Sequence, residues 1–163
     1  MNVQRSLETG SLYERDFHAW LDTQARLIRS GTPEALDLPN LLEEVEAMDA
    51  AQISELESRI AVILEHLLKF HYGRNRQPAI GWRRTLLVQR HDLARLLKKN
   101  PSLKRLFAEA IGEEYASARK QALLSFEEYE PHLLDDYAAI IPADCLYSVA
   151  QVLDEDWHPD TAV

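Results

Sequence analysis

The chain has 163 residues, of which 46% are hydrophobic and 28% charged, with a net charge of −9. This composition fits a single soluble domain and excludes disorder; five glycines and seven prolines exclude low-complexity repeats. The acidic balance disfavours nonspecific nucleic-acid binding by the whole molecule. No stretch approaches the roughly 20 apolar residues that cross a bilayer, the first ten residues lack a secretory apolar core, and the lone Cys145 cannot form an intrachain disulfide. The expectation is a cytoplasmic protein without a membrane partner.

Apolar residues recur at helical rather than strand period throughout, so the fold class is all-α, a single-domain bundle of five or six helices. Residues 1–10 read as a flexible N-terminus, 11–159 as the helical domain and 160–163 as a flexible C-terminus. The first helix is expected over about 12–30. Ser11 and Glu14 have capping-box spacing, Phe17, Trp20, Leu21, Gln24, Leu27 and Ile28 trace one face, and Gly31 supplies a left-handed cap.

From Leu38 to Tyr72 the apolar period is continuous. As one helix this run would overhang a domain roughly 40 Å across. Asp49 offers a restart, with Gln52 at the third helical position and Met48 and Ile53 as a hydrophobic staple, so two helices are expected, 39–48 and 50–72. The alternative is one unbroken helix shared in a homodimer. Ile53, Leu56, Ile60, Ile63, Leu67 and Phe70 form the best core stripe.

A polar loop from Gly73 to Gly81 precedes a helix over about 82–98 that buries Trp82, Leu86, Leu93, Leu96 and Leu97. Asn100 as N-cap and Pro101 at the first helical position open the next, over 101–125. It runs along Leu103, Phe107, Ile111, Tyr115, Ala118 and Ala122, and Gly112 weakens it unless a neighbour packs there. The stretch 126–147 yields no clear element. Ser148 with Gln151 marks a last helix, 148–153, with Tyr147 and Val152 as its staple. Residues Asp154 to Trp157 are expected to fold back on the basic helix, with Asp154 or Asp156 meeting an arginine or lysine.

The charges are sharply segregated. Residues 69–105 hold eleven basic side chains and one acid, Asp92, for +10, whereas residues 1–68 carry −8 and residues 106–163 carry −11. Two readings follow. Either the positive segment is matched by its acidic flanks, each exposed pair contributing only ~0–1 kcal/mol, or it presents a face for polyanions or an acidic partner. The candidate polyanion-binding residues are Arg83, Arg84, Arg90, Arg95, Lys98 and Lys99, with Trp82, His71 and Tyr72 near enough to stack.

A di-iron bundle needs a Glu with a His three residues later on each of two helices, and the chain has that spacing once, at Glu155 and His158, which argues against such a site. His18 lies between Glu14 and Asp22 at helical spacing, a solvated flank or a surface cation site. Cys145 reads as a packed thiol. The phosphate-loop, dinucleotide, nucleophile-elbow and zinc-helix motifs are all missing, so neither cofactor nor metal is expected. A hydrolase or metal site built from Glu43, Glu46 and His66 is the weakest alternative and requires those side chains to converge.

Several stretches together resemble a known family. Tyr13-Glu14-Arg15-Asp16-Phe17-His18-Ala19-Trp20-Leu21, Leu41-Leu42-Glu43-Glu44-Val45-Glu46, Leu56-Glu57-Ser58-Arg59 with Leu67-Leu68-Lys69, and Tyr147-Ser148 with Leu153-Asp154-Glu155-Asp156-Trp157 and Pro159 are similar to the domain of unknown function twenty-nine, a bacterial family abundant in cyanobacteria. The resemblance spans about 12–159 and weakens between Glu127 and Pro142. It implies an all-α fold and a bacterial source, and no activity or site residue. The reading from the sequence is a non-enzymatic helical interaction or structural module; binding of nucleic acid or an acidic partner through 69–105 is the alternative.

Overall fold

The structure is a computed structural model that describes residues 12–160. It is all-α, with no strand among the described residues. The described chain divides into two compact units, the first ending at Ala51 and the second beginning at Gln52.

In the first unit a helical turn over 12–15 stops at Asp16, whose carboxylate accepts the Ala19 N–H at 3.0 Å and so starts α1, Phe17–Ser30. The expected capping box needs Ser11, which lies outside the described residues. Gly31 ends the helix at φ +68°, as expected, and its N–H reaches the Ile28 carbonyl. The expected apolar face divides in two. Trp20 and Gln24 are buried, while Phe17, Leu21 and Ile28 are 41–61% exposed.

Polar groups lock this hairpin. Asp37 takes the Trp20 indole N–H at 3.0 Å and the Asn40 amide at 2.7 Å, and its own N–H donates to Gln24 Oε1 at 2.9 Å. Tyr13 donates to Glu44 Oε1 at 2.6 Å. That bond to a carboxylate, with Glu43 and Asp37 nearby, pushes the phenol up to about 12.

α2 runs unbroken over Leu38–Tyr72, 35 residues, correcting the expected split at 48–50. Asp49 is an exposed interior residue rather than a cap. An interior Asp costs a helix only a few tenths of a kcal/mol relative to alanine, whereas a break would orphan backbone groups on both sides. Ala47, Ala50 and Ala51 favour continuation. The length objection holds for one compact body; here the helix serves two units, and the chain passes from one to the other between Ala51 and Gln52.

The second unit is built on the lower part of α2. Leu56, Ile60, Ile63, Leu64, Leu67 and Leu68 are fully buried, the outcome their spacing predicts. Around them lie Leu86, Leu93, Leu96 and Leu97 of α3, Ala79–Lys99, and Phe107, Ala110, Ile111, Tyr115, Ala118, Ala122 and Phe126 of α4, Phe107–Tyr129. α3 begins three residues before the expected Trp82, which is only half-buried.

The single helix expected over 101–125 is instead a 3-10 segment, Pro101–Leu106, followed by α4. Asn100 does not cap it. Its amide donates to Gln52 Oε1 at 3.0 Å and to the Leu96 carbonyl at 3.2 Å, so it closes α3. A Cβ at Gly112 would meet nothing within 4 Å, so no close neighbour accounts for that glycine.

The unassigned stretch 126–147 holds a 3-10 turn, Pro131–Leu133, and α5, Leu134–Ile140. Tyr137 stacks on Phe126 with centroids 4.1 Å apart. Arg119 ties down the exit of α5 through the Ala138 and Ile141 carbonyls, and Tyr115 donates to the Pro142 carbonyl at 3.0 Å. The capping box of Ser148 and Gln151 is present on α6, Val149–Leu153, and Tyr147 and Val152 are both buried.

Candidate interaction site on the basic helix

α3 carries most of the basic segment, and its two sides differ in chemistry. Leu86, Arg90, Leu93, Leu96 and Leu97 point inward. On the opposite side Ile80, Arg84, Leu87, His91, Arg95 and Lys98 follow one another at steps of three and four and are all exposed, the spacing of a single helical face. Ile80 is 85% and Leu87 53% exposed.

The six candidate cations fall into four groups. Arg84, Lys98 and Lys99 are exposed, and among the described residues no carboxylate lies within ion-pair distance of them. Arg83 is likewise exposed and lines a small cleft with Glu155, Asp156 and Trp157. Arg95 is 75% exposed and stands 3.8 Å from Asp92.

Arg90 must be removed from the set. It is 2% exposed, with Nε donating to the Val152 carbonyl at 2.9 Å, Nη2 to Gln151 at 2.7 Å and Nη1 to Trp157 at 2.6 Å. Burial lowers its pKa, opposed by Asp154 and Glu155. The tail therefore docks on the basic helix as expected, but through backbone carbonyls. Among the described residues neither Asp154 nor Asp156 forms an ion pair; both residues are exposed, and Asp154 instead accepts the Asp156 and Trp157 N–H groups.

The stacking residues are also spent internally. His71 lies on Tyr72 with centroids 4.3 Å apart, Tyr72 is buried, and Arg76 sits over the rings of Phe70 and Trp82.

Beside the C-terminal end of α3 is an open cleft of about 780 Å³ lined by Gln52, Glu55, Arg59, Asp92, Arg95, Leu96, Lys98 and Lys99. Arg59 forms its floor, bound to Glu55 at 2.9 and 3.0 Å, to Asp92 at 3.1 Å and to Gln89 at 3.1 Å. Asp92, the one acid of the basic segment, is thus shared between Arg59 and Arg95. Arg59 is absent from the candidates read from the sequence; the signal that could have found it is Glu55 four residues before it. The surplus charge of the cleft rests on Arg95, Lys98 and Lys99.

The remaining candidates do not assemble. His18 is exposed, and among the described residues no group of three or more His, Cys, Asp or Glu side chains could hold a metal ion. Glu43 and Glu46 belong to the first unit, while His66 follows twenty residues after Glu46 along α2, in the second. His66 Nδ1 bonds the Val62 carbonyl at 2.9 Å, and burial together with Lys69 lowers its pKa. Cys145 is half-buried with its thiol toward the Tyr147 carbonyl, and burial raises its pKa. No described helix is long and apolar enough to cross a membrane.

Residues 12–158 match the model of the family described as Domain of unknown function DUF29. No curated protein and no solved structure matches the chain.

Proposed function

The chain belongs to the family of domain of unknown function DUF29, and from that premise we propose that it is a non-enzymatic interaction module, bacterial and cytoplasmic, whose working surface is the outer face of α3. The observation that carries this reading is that face itself: Arg84, Arg95 and Lys98 alternate with Ile80 and Leu87, all exposed. Surplus cations draw an acidic surface at long range, and the apolar side chains between them reward contact at short range. The partner of best fit is an acidic protein surface with apolar side chains among its carboxylates.

Nucleic acid is the second reading. The cations favour it, but Ile80 and Leu87 have no use against a phosphate backbone. Fluorescence anisotropy with poly-L-glutamate and with duplex DNA, at about 50 mM salt, separates the two. Binding of poly-L-glutamate that Arg84→Glu with Arg95→Glu abolishes supports the module. Tighter binding of DNA through the same two residues moves the function to nucleic acid, with log K falling as log salt rises. Binding of neither probe by the monomeric chain overturns both readings.

A further inference from the structure

We propose that the acidic partner of α3 is the N-terminal hairpin of a second copy of this chain. The inference rests on the reading of α3 as a docking face and names what covers it.

The hairpin has the complementary chemistry. Its described residues, 12–51, hold nine acids and three arginines, a net charge of −6. Its interior is small, with only Trp20 and Gln24 buried among those residues. Its outer apolar residues are numerous: Phe17, Leu21 and Ile28 on α1, and Leu38, Leu42 and Val45 on α2, each at least 41% exposed.

These two stripes lie on one side of the hairpin. Tyr13 meets Glu44 and Trp20 meets Asp37, so α1 and the start of α2 run in opposite directions. At 100° per residue, each exposed stripe follows its helix's inward stripe by about a quarter turn in the same rotational sense. For opposed helices the same sense of rotation leads to the same side. Asp49 continues the Leu38, Leu42, Val45 register, and Glu46 flanks it, both exposed.

One chain thus carries an acidic apolar face and a basic apolar face. Like faces repel, which argues against hairpin meeting hairpin. Unlike faces from two copies pair twice in a two-fold dimer, since each contact repeats by symmetry. Apolar contact gives such a dimer its affinity, and charge gives it register and partner choice.

Sedimentation velocity on the full chain over a range of concentrations tests this, with circular dichroism confirming the helical content of each variant. The wild type should form a dimer that weakens as salt rises. Arg84→Glu with Arg95→Glu, and separately Glu46→Lys with Asp49→Lys, should each weaken association by about tenfold or more. All four changes in one chain should restore the dimer. A wild-type chain that stays monomeric, a dimer indifferent to either reversal, or a fourfold variant no better than the pairs overturns the proposal. Poly-L-glutamate separates its failure from that of the module. A monomeric wild type that still binds this polymer through Arg84 and Arg95 ends the self-pairing alone; one that does not bind ends both.

Discussion

Tyr137 donates its hydroxyl proton to Glu130 Oε2 at 2.7 Å while the same oxygen accepts the backbone N–H of Arg74 at 3.1 Å. The ring is fully buried against Phe126, so one oxygen joins the loop after α2 to the turn before α5. Tyr137→Phe removes that oxygen and leaves both partners short of a bond. The expected loss is about 1–3 kcal/mol of unfolding free energy, read from urea denaturation with an unchanged m-value.

Arg90 should be harder still to replace. Its guanidinium satisfies three carbonyls at once, a fork that a single ammonium cannot reproduce. Arg90→Ala should cost about 3 kcal/mol or more, and Arg90→Lys should recover less than half of that. Limited proteolysis offers an independent readout: residues beyond Leu153 should be cut faster in both variants. Cleavage at the wild-type rate would show that the tail is held by something else.

Two glycines should respond to alanine with opposite signs. A Cβ on Gly73 would sit 2.8 Å from Trp82 Cη2 and 2.5 Å from the Lys69 carbonyl oxygen, so the chain or the indole must move. Gly73→Ala should destabilise by about 1–3 kcal/mol. Gly112 lies inside α4 with open space where a Cβ would go, and Gly112→Ala should stabilise by about 0.5–1 kcal/mol. Thermal melts of the two variants beside the wild type check both signs.

Much of this fold was legible in the sequence because it depends on local periodicity. The stripe from Leu56 to Leu67, the stripe from Phe107 to Ala122, the Gly31 cap and the Ser148 capping box all follow from the spacing of neighbours along one helix. What the sequence hid depends on distant neighbours or on shape. Asp49 has the composition of a cap, but capping wins only where the helix has another reason to stop, and the division of the chain into two units removes the reason supplied by length. Arg90 is indistinguishable by type from Arg84, six residues earlier. What buries it is the arrival of carbonyls from residues 151, 152 and 157. The site was half legible for the same reason: charge segregation was visible in composition, whereas the alternation of Ile80 and Leu87 with the exposed cations became visible only once the inward side of α3 was known.

His66 makes stability depend on pH. Burial and Lys69 lower its pKa from the usual 6.5, while the Val62 carbonyl and Glu65 act the other way. The unfolded chain therefore binds the proton first as pH falls. The contribution of His66 to stability is full above the ordinary imidazole pKa and is lost as pH drops below it toward the lowered value. Glu114, raised by burial and by Glu57 and Glu113, works in the opposite sense. The urea midpoint of the wild type should fall between about pH 7.5 and 5.5, and the fall should be smaller in His66→Gln. An equal fall in both would assign the dependence to other groups.

The hold on the tail has a consequence for how the sequence can drift. Arg90 reads main-chain oxygens, which every amino acid provides, so the hydrogen bonds of the grip need no particular side chain at Gln151, Val152 or Trp157, whatever the packing of Val152 and Trp157 requires. The gripping residue has no such latitude. Among relatives of this chain that keep the tail, an arginine at this place in the helix should persist with it.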